Sequence, residues 1–138
     1  MRYLLDTNIF IAAMKGEAGV RARLESIALS DLLLSPIVLG ELRLGVEKSQ
    51  YRDKNTARLE NLVENIELAP LDASVSAHYA QIRAQLEQKG TPIGANDYWI
   101  AAQSRALGAT LVTDNSGEFN RVPGLQTENW LEIRGRDT

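Results

Sequence analysis

Four carboxylates in this sequence stand where an acid could do chemistry: Asp6, Glu41, Asp97 and Asp114, with Glu118 close behind the last. Asp6 ends the apolar run Tyr3-Leu4-Leu5, and Asp114 ends Thr110-Leu111-Val112-Thr113. If those runs are parallel strands, both acids lie beyond strand carboxyl ends, where open α/β sheets bind ligands. Helix capping is the ordinary role of such an aspartate taken alone. Glu41 and Asp97 are harder to assign to structure. Glu41 follows Ile37 by four residues and precedes Leu44 by three; Asp97 is spaced in the same way between Ile93 and Ile100. Helical spacing therefore puts each acid on an apolar face. A carboxylate there is costly without a compensating cation, and no Lys or Arg stands at pairing distance on either core face. A helix turned to bring the acid to its margin, or a long-range salt bridge, would explain one such residue. Two acids on helices and two at strand ends point to a shared cation.

The donors are all oxygens, which suits Mg²⁺ or Mn²⁺ and not zinc. One or two such ions can activate a water and neutralise charge on a phosphate during in-line displacement. The chain has no cysteine and a single histidine, His78. That excludes a disulfide framework, a thiolate zinc site and a cysteine nucleophile, and argues against a Ser-His-Asp triad. Fifteen Lys and Arg against eighteen Asp and Glu give a net charge of −3, which at face value speaks against a nucleic-acid partner. Assigning four acids to a metal cluster turns −3 into +1, so the balance outside the site is near neutral. Attraction of a phosphate chain must then come from local cations.

The elements that must position these acids can be read in order. Tyr3–Leu5 reads as a buried strand, followed by helices over 9–14 and 20–29. Asp31–Leu34 is a second strand; Ser35-Pro36 then opens a helix reaching about Lys48, with serine as cap and proline in its first turn. A polar amphipathic helix covers 53–65, and Ile66–Ala69 forms a third strand. A long helix spans Asp72–Lys89, with Val75, Tyr79, Ile82 and Leu86 at helical spacing. Another runs from Asn96 to Leu107 and stops at Gly108. Thr110–Thr113 is the fourth strand, Asp114–Gly117 a turn, and Gly124–Thr127 a possible fifth strand at the edge. Alternation of this kind means α/β architecture: a three-layer α/β/α sandwich on a mainly parallel four- to five-stranded sheet. No repeat or linker divides the chain. One domain over residues 1–132 with a frayed tail at 133–138 is expected. With no leader-like or membrane-spanning apolar run, a cytoplasmic location is expected.

Leu5-Asp6-Thr7-Asn8, Glu41 and Gly94-Ala95-Asn96-Asp97-Tyr98-Trp99-Ile100-Ala101-Ala102 together resemble the PIN-domain nucleases. The tail Thr113-Asp114-Asn115-Ser116-Gly117-Glu118-Phe119, with Val122-Pro123-Gly124-Leu125 and Glu128-Asn129-Trp130, is similar to the VapC-type ribonuclease toxins. The likeness covers nearly the whole chain in order. It implies a Mg²⁺- or Mn²⁺-dependent endoribonuclease, dimeric, inhibited by a VapB-type antitoxin, with tRNA as the leading substrate. Asp6, Glu41 and Asp97 match the family's core acids. By that resemblance Asp6 and Asp97 would hold the metal directly, and Glu41 would do so through water or orient the attacking water. The fourth acidic position departs from the usual Thr-x-Asp, because Asn115 holds the aspartate slot. Asp114 or Glu118 would complete the site, and VapC relatives with Thr-x-Asn-x-x-Glu-Phe favour Glu118.

Thr7, Asn8, Thr113 and Asn115 could position ligands or phosphate by hydrogen bonds, or simply cap helices. Arg43 opens a run of cations with Lys48, Arg52, Lys54 and Arg58, either a phosphate-facing patch or a solvated face. His78, Trp99 and Trp130 read as structural. The competing reading is a non-catalytic module for RNA or protein in which the acids hold a structural cation. A phosphoacceptor receiver domain would need an aspartate after the third strand, where Ala69-Pro70-Leu71 stands.

Overall fold

The computed structural model describes residues 1–131, so the frayed tail expected at 133–138 lies outside the described residues. Five short strands form one parallel sheet in the order β3-β2-β1-β4-β5. They are β1 (Tyr3–Leu5), β2 (Leu32–Leu34), β3 (Glu67–Leu68), β4 (Thr110–Val112) and β5 (Gln126–Glu128). The inner strands β1, β2 and β4 carry Leu4, Leu5, Leu32, Leu33, Leu34, Leu111 and Val112, all buried. Strands covered on both faces read as continuous apolar runs for this reason.

The helices are α1 (Thr7–Met14), α2 (Ala18–Ser26), α3 (Pro36–Glu47), α4 (Arg52–Val63), α5 (Ala73–Gln88), α6 (Ala95–Leu107) and α7 (Ser116–Phe119). The connections β1→β2→β3 step one way along the sheet; β3→β4 returns across β2 and β1. Right-handed crossovers running in opposite directions lay their helices on opposite faces. Helices α1–α4 thus form one layer and α5–α6 the other, giving the expected three-layer α/β/α sandwich. The reversal falls between β1 and β4, and a crevice opens at their carboxyl ends.

Several boundaries differ from the sequence reading. The second helix stops at Ser26 instead of reaching Leu29, and a 3₁₀ turn at Leu29–Asp31 leads into β2. The stretch after β4 is a turn only at its start: Ser116–Phe119 closes a short helix that buries Phe119. The edge strand starts two residues later than expected and ends one later, at Gln126–Glu128, held to β4 through Thr110↔Gln126 and Val112↔Glu128. Among the described residues no helix is long and apolar enough to cross a membrane.

Candidate active site

Asp6 is both cap and site residue. It is the N-cap of α1, with extended backbone (φ −73°, ψ 163°), and its Oδ1 accepts from the Thr7 N–H at 2.8 Å. Its Oδ2 accepts from the Thr113 hydroxyl, also at 2.8 Å, across the β1–β4 gap. Only 7 % of Asp6 is exposed. Burial pushes its pKa up; the Thr113 and Thr7 bonds pull the other way, while Glu41 and Asp114 add repulsion.

Glu41 comes from α3, and here the sequence reading of the helix face needs correction. The buried stripe is Val38, Leu42 and Val46, whereas Leu44 is 55 % exposed and Ile37 half-buried. Glu41 precedes Leu42 by one position, which in a helix is about 100° of rotation, so it sits at the margin of the buried face. That margin faces the crevice. The Thr7 hydroxyl donates to Glu41 Oε1, and the Asn96 side-chain amide donates to Oε2 at 3.3 Å. A groove of about 320 Å³, lined among others by Ile11, Met14, Lys15, Leu42 and Arg58, opens beside Glu41.

Asp97 stands in the first turn of α6, half-buried, with Ile93, Ile100, Ala101 and Ser104 buried along its stripe as the spacing implies. The Glu118 carboxylate lies beside it, so two acids crowd one another. Asp97 is pushed up to about 7, first by burial, then by the bond and charge of Glu118, then by the charges of Asp6 and Glu41. Glu118 moves the opposite way. Burial alone would raise it, but the Gly94 N–H, the Asn115 amide, the neighbouring Asp97 side chain and the Arg121 charge outweigh burial and hold it below its ordinary value. The Gly94 N–H lies 2.6 Å from Glu118 Oε1 and Asn115 Nδ2 lies 2.8 Å from Oε2.

Asp114 is exposed at the rim and accepts from Asn8 Nδ2 at 3.1 Å. Thr7, Asn8, Thr113 and Asn115, expected as contacts to substrate or phosphate, all direct side-chain donors at carboxylates. Arg43 is exposed on α3 and is not drawn into the cluster. Two participants escaped the sequence reading: Asn96, on Glu41, and Gly94, on Glu118. Asn96 adjoins Asp97 and could have been suspected from that alone; Gly94 offers no side chain to notice.

Five carboxylates thus converge on the β1–β4 crevice. The ion pairs Arg2–Glu67, Arg23–Glu128, Arg52–Glu47 and Arg83–Glu87 all lie elsewhere. Among the described residues no three acids or histidines close into a finished ligand cage. The donor set nonetheless fits a small hard cation that keeps most of its water and takes one or two carboxylates directly. Like charges held together with one of them pushed to about 7 are in want of a counter-charge.

Comparison with known proteins identifies the family. Residues 3–125 match the PIN domain. The chain is 40 % identical to the tRNA(fMet)-specific endonuclease VapC of Shigella flexneri, over 94 % of this chain and 98 % of that one. It is 41 % identical to ribonuclease VapC2 of Rickettsia felis over the same shares. Among solved structures, VapBC2 from Rickettsia felis bound to a promoter DNA fragment superposes with a TM-score of 0.89 at 40 % identity, covering 94 % of this chain and 99 % of that one. VapBC from Salmonella typhimurium bound to DNA also gives 0.89, at 37 % identity, covering 94 % and 98 %. The chain belongs to the PIN-domain family, in its VapC ribonuclease branch.

Proposed function

We propose that this chain is a metal-dependent endoribonuclease acting on tRNA, the toxin of a toxin–antitoxin pair that a VapB-type antitoxin restrains. The observation that carries the reading is the convergence of Asp6, Glu41, Asp97 and Glu118 at the topological switch point, where among the described residues none of the four forms an ion pair and only the Arg121 charge reaches Glu118. The relative from Shigella flexneri, named for tRNA(fMet), supports the substrate class. The VapBC complexes support the antitoxin, and the partly apolar groove beside Glu41 offers it a seat. A homodimer and a cytoplasmic location complete the proposal.

In this scheme Asp6 and Asp97 would hold Mg²⁺ or Mn²⁺, and Glu41 would reach it through water or orient the attacking water. The ion would supply positive charge against the phosphodiester and acidify a water. The chain's own residues do the rest. Thr7 and Thr113 fix the two Asp6 oxygens, and Thr7 with Asn96 fixes Glu41. Asp97, pushed up to about 7 by burial and by its acidic neighbours, would serve such an ion as an ionised carboxylate, because positive charge beside it favours that form. Glu118 completes the site in preference to Asp114, since it touches Asp97 while Asp114 is turned to Asn8 at the rim.

Purified protein is expected to cleave tRNA in Mg²⁺ or Mn²⁺ and to stop in EDTA. Cleavage that persists in chelator would overturn the metal mechanism. Binding of tRNA without cleavage under any metal would favour the non-catalytic module instead.

A further inference from the structure

We propose that Gly94 is a positioning residue of this site: its N–H and its missing side chain together seat the Glu118 carboxylate against Asp97. The inference rests on the reading of these acids as the reactive centre. Gly94 has φ −61° and ψ 151°, extended backbone open to every residue, so no left-handed turn calls for glycine. It is the N-cap of α6, where Ser, Asp or Asn would satisfy an orphan N–H, yet α6 has no side-chain cap. Local structure would be better served by another residue.

The reason for glycine lies in the two carboxylates beside it, one in its own helix and one from α7. A Cβ at position 94 would stand 3.3 Å from Asp97 Oδ2 and 3.7 Å from Glu118 Oε1. By contrast, Gly45 within α3 would meet nothing within 4 Å. The first distance is tighter than ordinary carbon–oxygen packing, so a methyl group would make the Asp97 carboxylate give by a few tenths of an ångström. Meanwhile the Gly94 N–H reaches Glu118 Oε1 at 2.6 Å, the short length of a charge-assisted bond. Glu118 itself rides on a four-residue helix, which alone orders little. Its place is set by two grips from different elements: Asn115 at the start of α7, and Gly94 at the start of α6.

The test compares wild type, Gly94→Ala, Gly94→Ser and Glu118→Gln. In metal-free protein the residue-94 amide proton is expected far downfield by NMR, and to move upfield in Glu118→Gln. An amide unmoved by Glu118→Gln overturns the contact whether or not the protein cleaves RNA. In the tRNA assay, Gly94→Ala is expected to lower kcat by roughly 10- to 100-fold, as small misplacements of reacting groups do, with KM for RNA little changed. The Mn²⁺ concentration for half-maximal binding, read without RNA, should rise in the same variant. Gly94→Ser gains a cap, so its melting temperature should equal or exceed that of wild type while its kcat falls like that of the alanine variant. A folded Gly94→Ser with wild-type kcat and wild-type Mn²⁺ binding would overturn the role of Gly94 and leave the nuclease assignment standing. A wild-type protein inert toward RNA in every metal would sink the nuclease reading, and the amide shift would still decide the Gly94 contact.

Discussion

Asp97 carries a charge that its surroundings resist, and that resistance has a direction with pH. Folded, it is pushed up to about 7; unfolded, it would titrate near its ordinary value of 3.8. Between those values the native state holds a proton that the unfolded chain has lost, so native stability falls as pH rises through this window. Above about 7 the penalty is complete, unless a cation offsets it. Metal-free protein is therefore expected to melt lower at pH 8 than at pH 5.5 as far as this group is concerned. Mg²⁺ should raise the melting temperature more at pH 8, where no proton has to leave. Equal Mg²⁺ stabilisation at both pH values would contradict the assignment of Asp97 as a metal ligand. Asp97→Asn makes the complementary case. The amide keeps volume and polarity but removes the opposed charge, so metal-free stability at pH 8 should hold or rise while cleavage drops by about 100-fold or more, the scale on which single catalytic groups act. Melting curves and a tRNA cleavage assay on the same preparation separate the two effects. Residue types and chain positions made Asp6, Asp97 and Glu41 conspicuous from sequence. They could not reveal which neighbours would grip them, because Asn96 and Gly94 act through bonds that only the folded crevice creates.

At the scale of elements, legibility followed the strength of the local signal. Ser35-Pro36 marked the start of α3 because a side-chain cap and a preset φ both favour it, and Ser35 Oγ indeed accepts from the Ile37 N–H at 3.1 Å. Gly108 marked the end of α6 because its φ of 64° suits few other residues. The face of α3 was read wrongly for a physical reason. Pro36, Ile37, Val38, Leu39, Leu42, Leu44 and Val46 leave apolar residues almost all round, so pattern alone does not fix the rotation. Packing against α1, α4 and α6 does, and it brings Val38, Leu42 and Val46 inward. Helix α7 was missed because four residues around Gly117 give no periodicity to read. The Ser35 cap yields a prediction for the element that carries Glu41. Ser35 is wholly buried, so Ser35→Ala removes the cap bond and should cost about 1 kcal/mol, the usual scale for a lost N-cap. For a chain of this length that is a fall of roughly 3–5 °C in melting temperature. A fall within error would mean that α3 is held by packing alone.

For the whole molecule, the net charge of −3 is divided unequally. Five acids crowd one crevice, while the cations of the α3–α4 corner lie outside it. Of those cations, Arg52 is paired with Glu47 at 3.5 Å and Arg58 donates to the Met14 carbonyl at 2.6 Å. Arg43, Lys48 and Lys54 are exposed and form no ion pair among the described residues. An exposed cation without a carboxylate partner contributes almost nothing to folding. It can contribute to phosphate binding, where each contact to single-stranded RNA steepens the dependence of log affinity on log salt by about 0.7. If this corner meets the substrate backbone, Arg43→Gln, Lys48→Gln and Lys54→Gln combined should flatten that slope by about 2. Melting temperature and Mn²⁺ binding should stay at wild-type values, because none of the three touches the acids. The measurement is tRNA binding to the cleavage-deficient Asp97→Asn protein across a salt series. An unchanged slope would move the substrate path away from α3 and α4. Attraction would then have to come from cations elsewhere and from the ion itself, because a nearly balanced surface supplies no long-range field to steer RNA toward an acidic crevice.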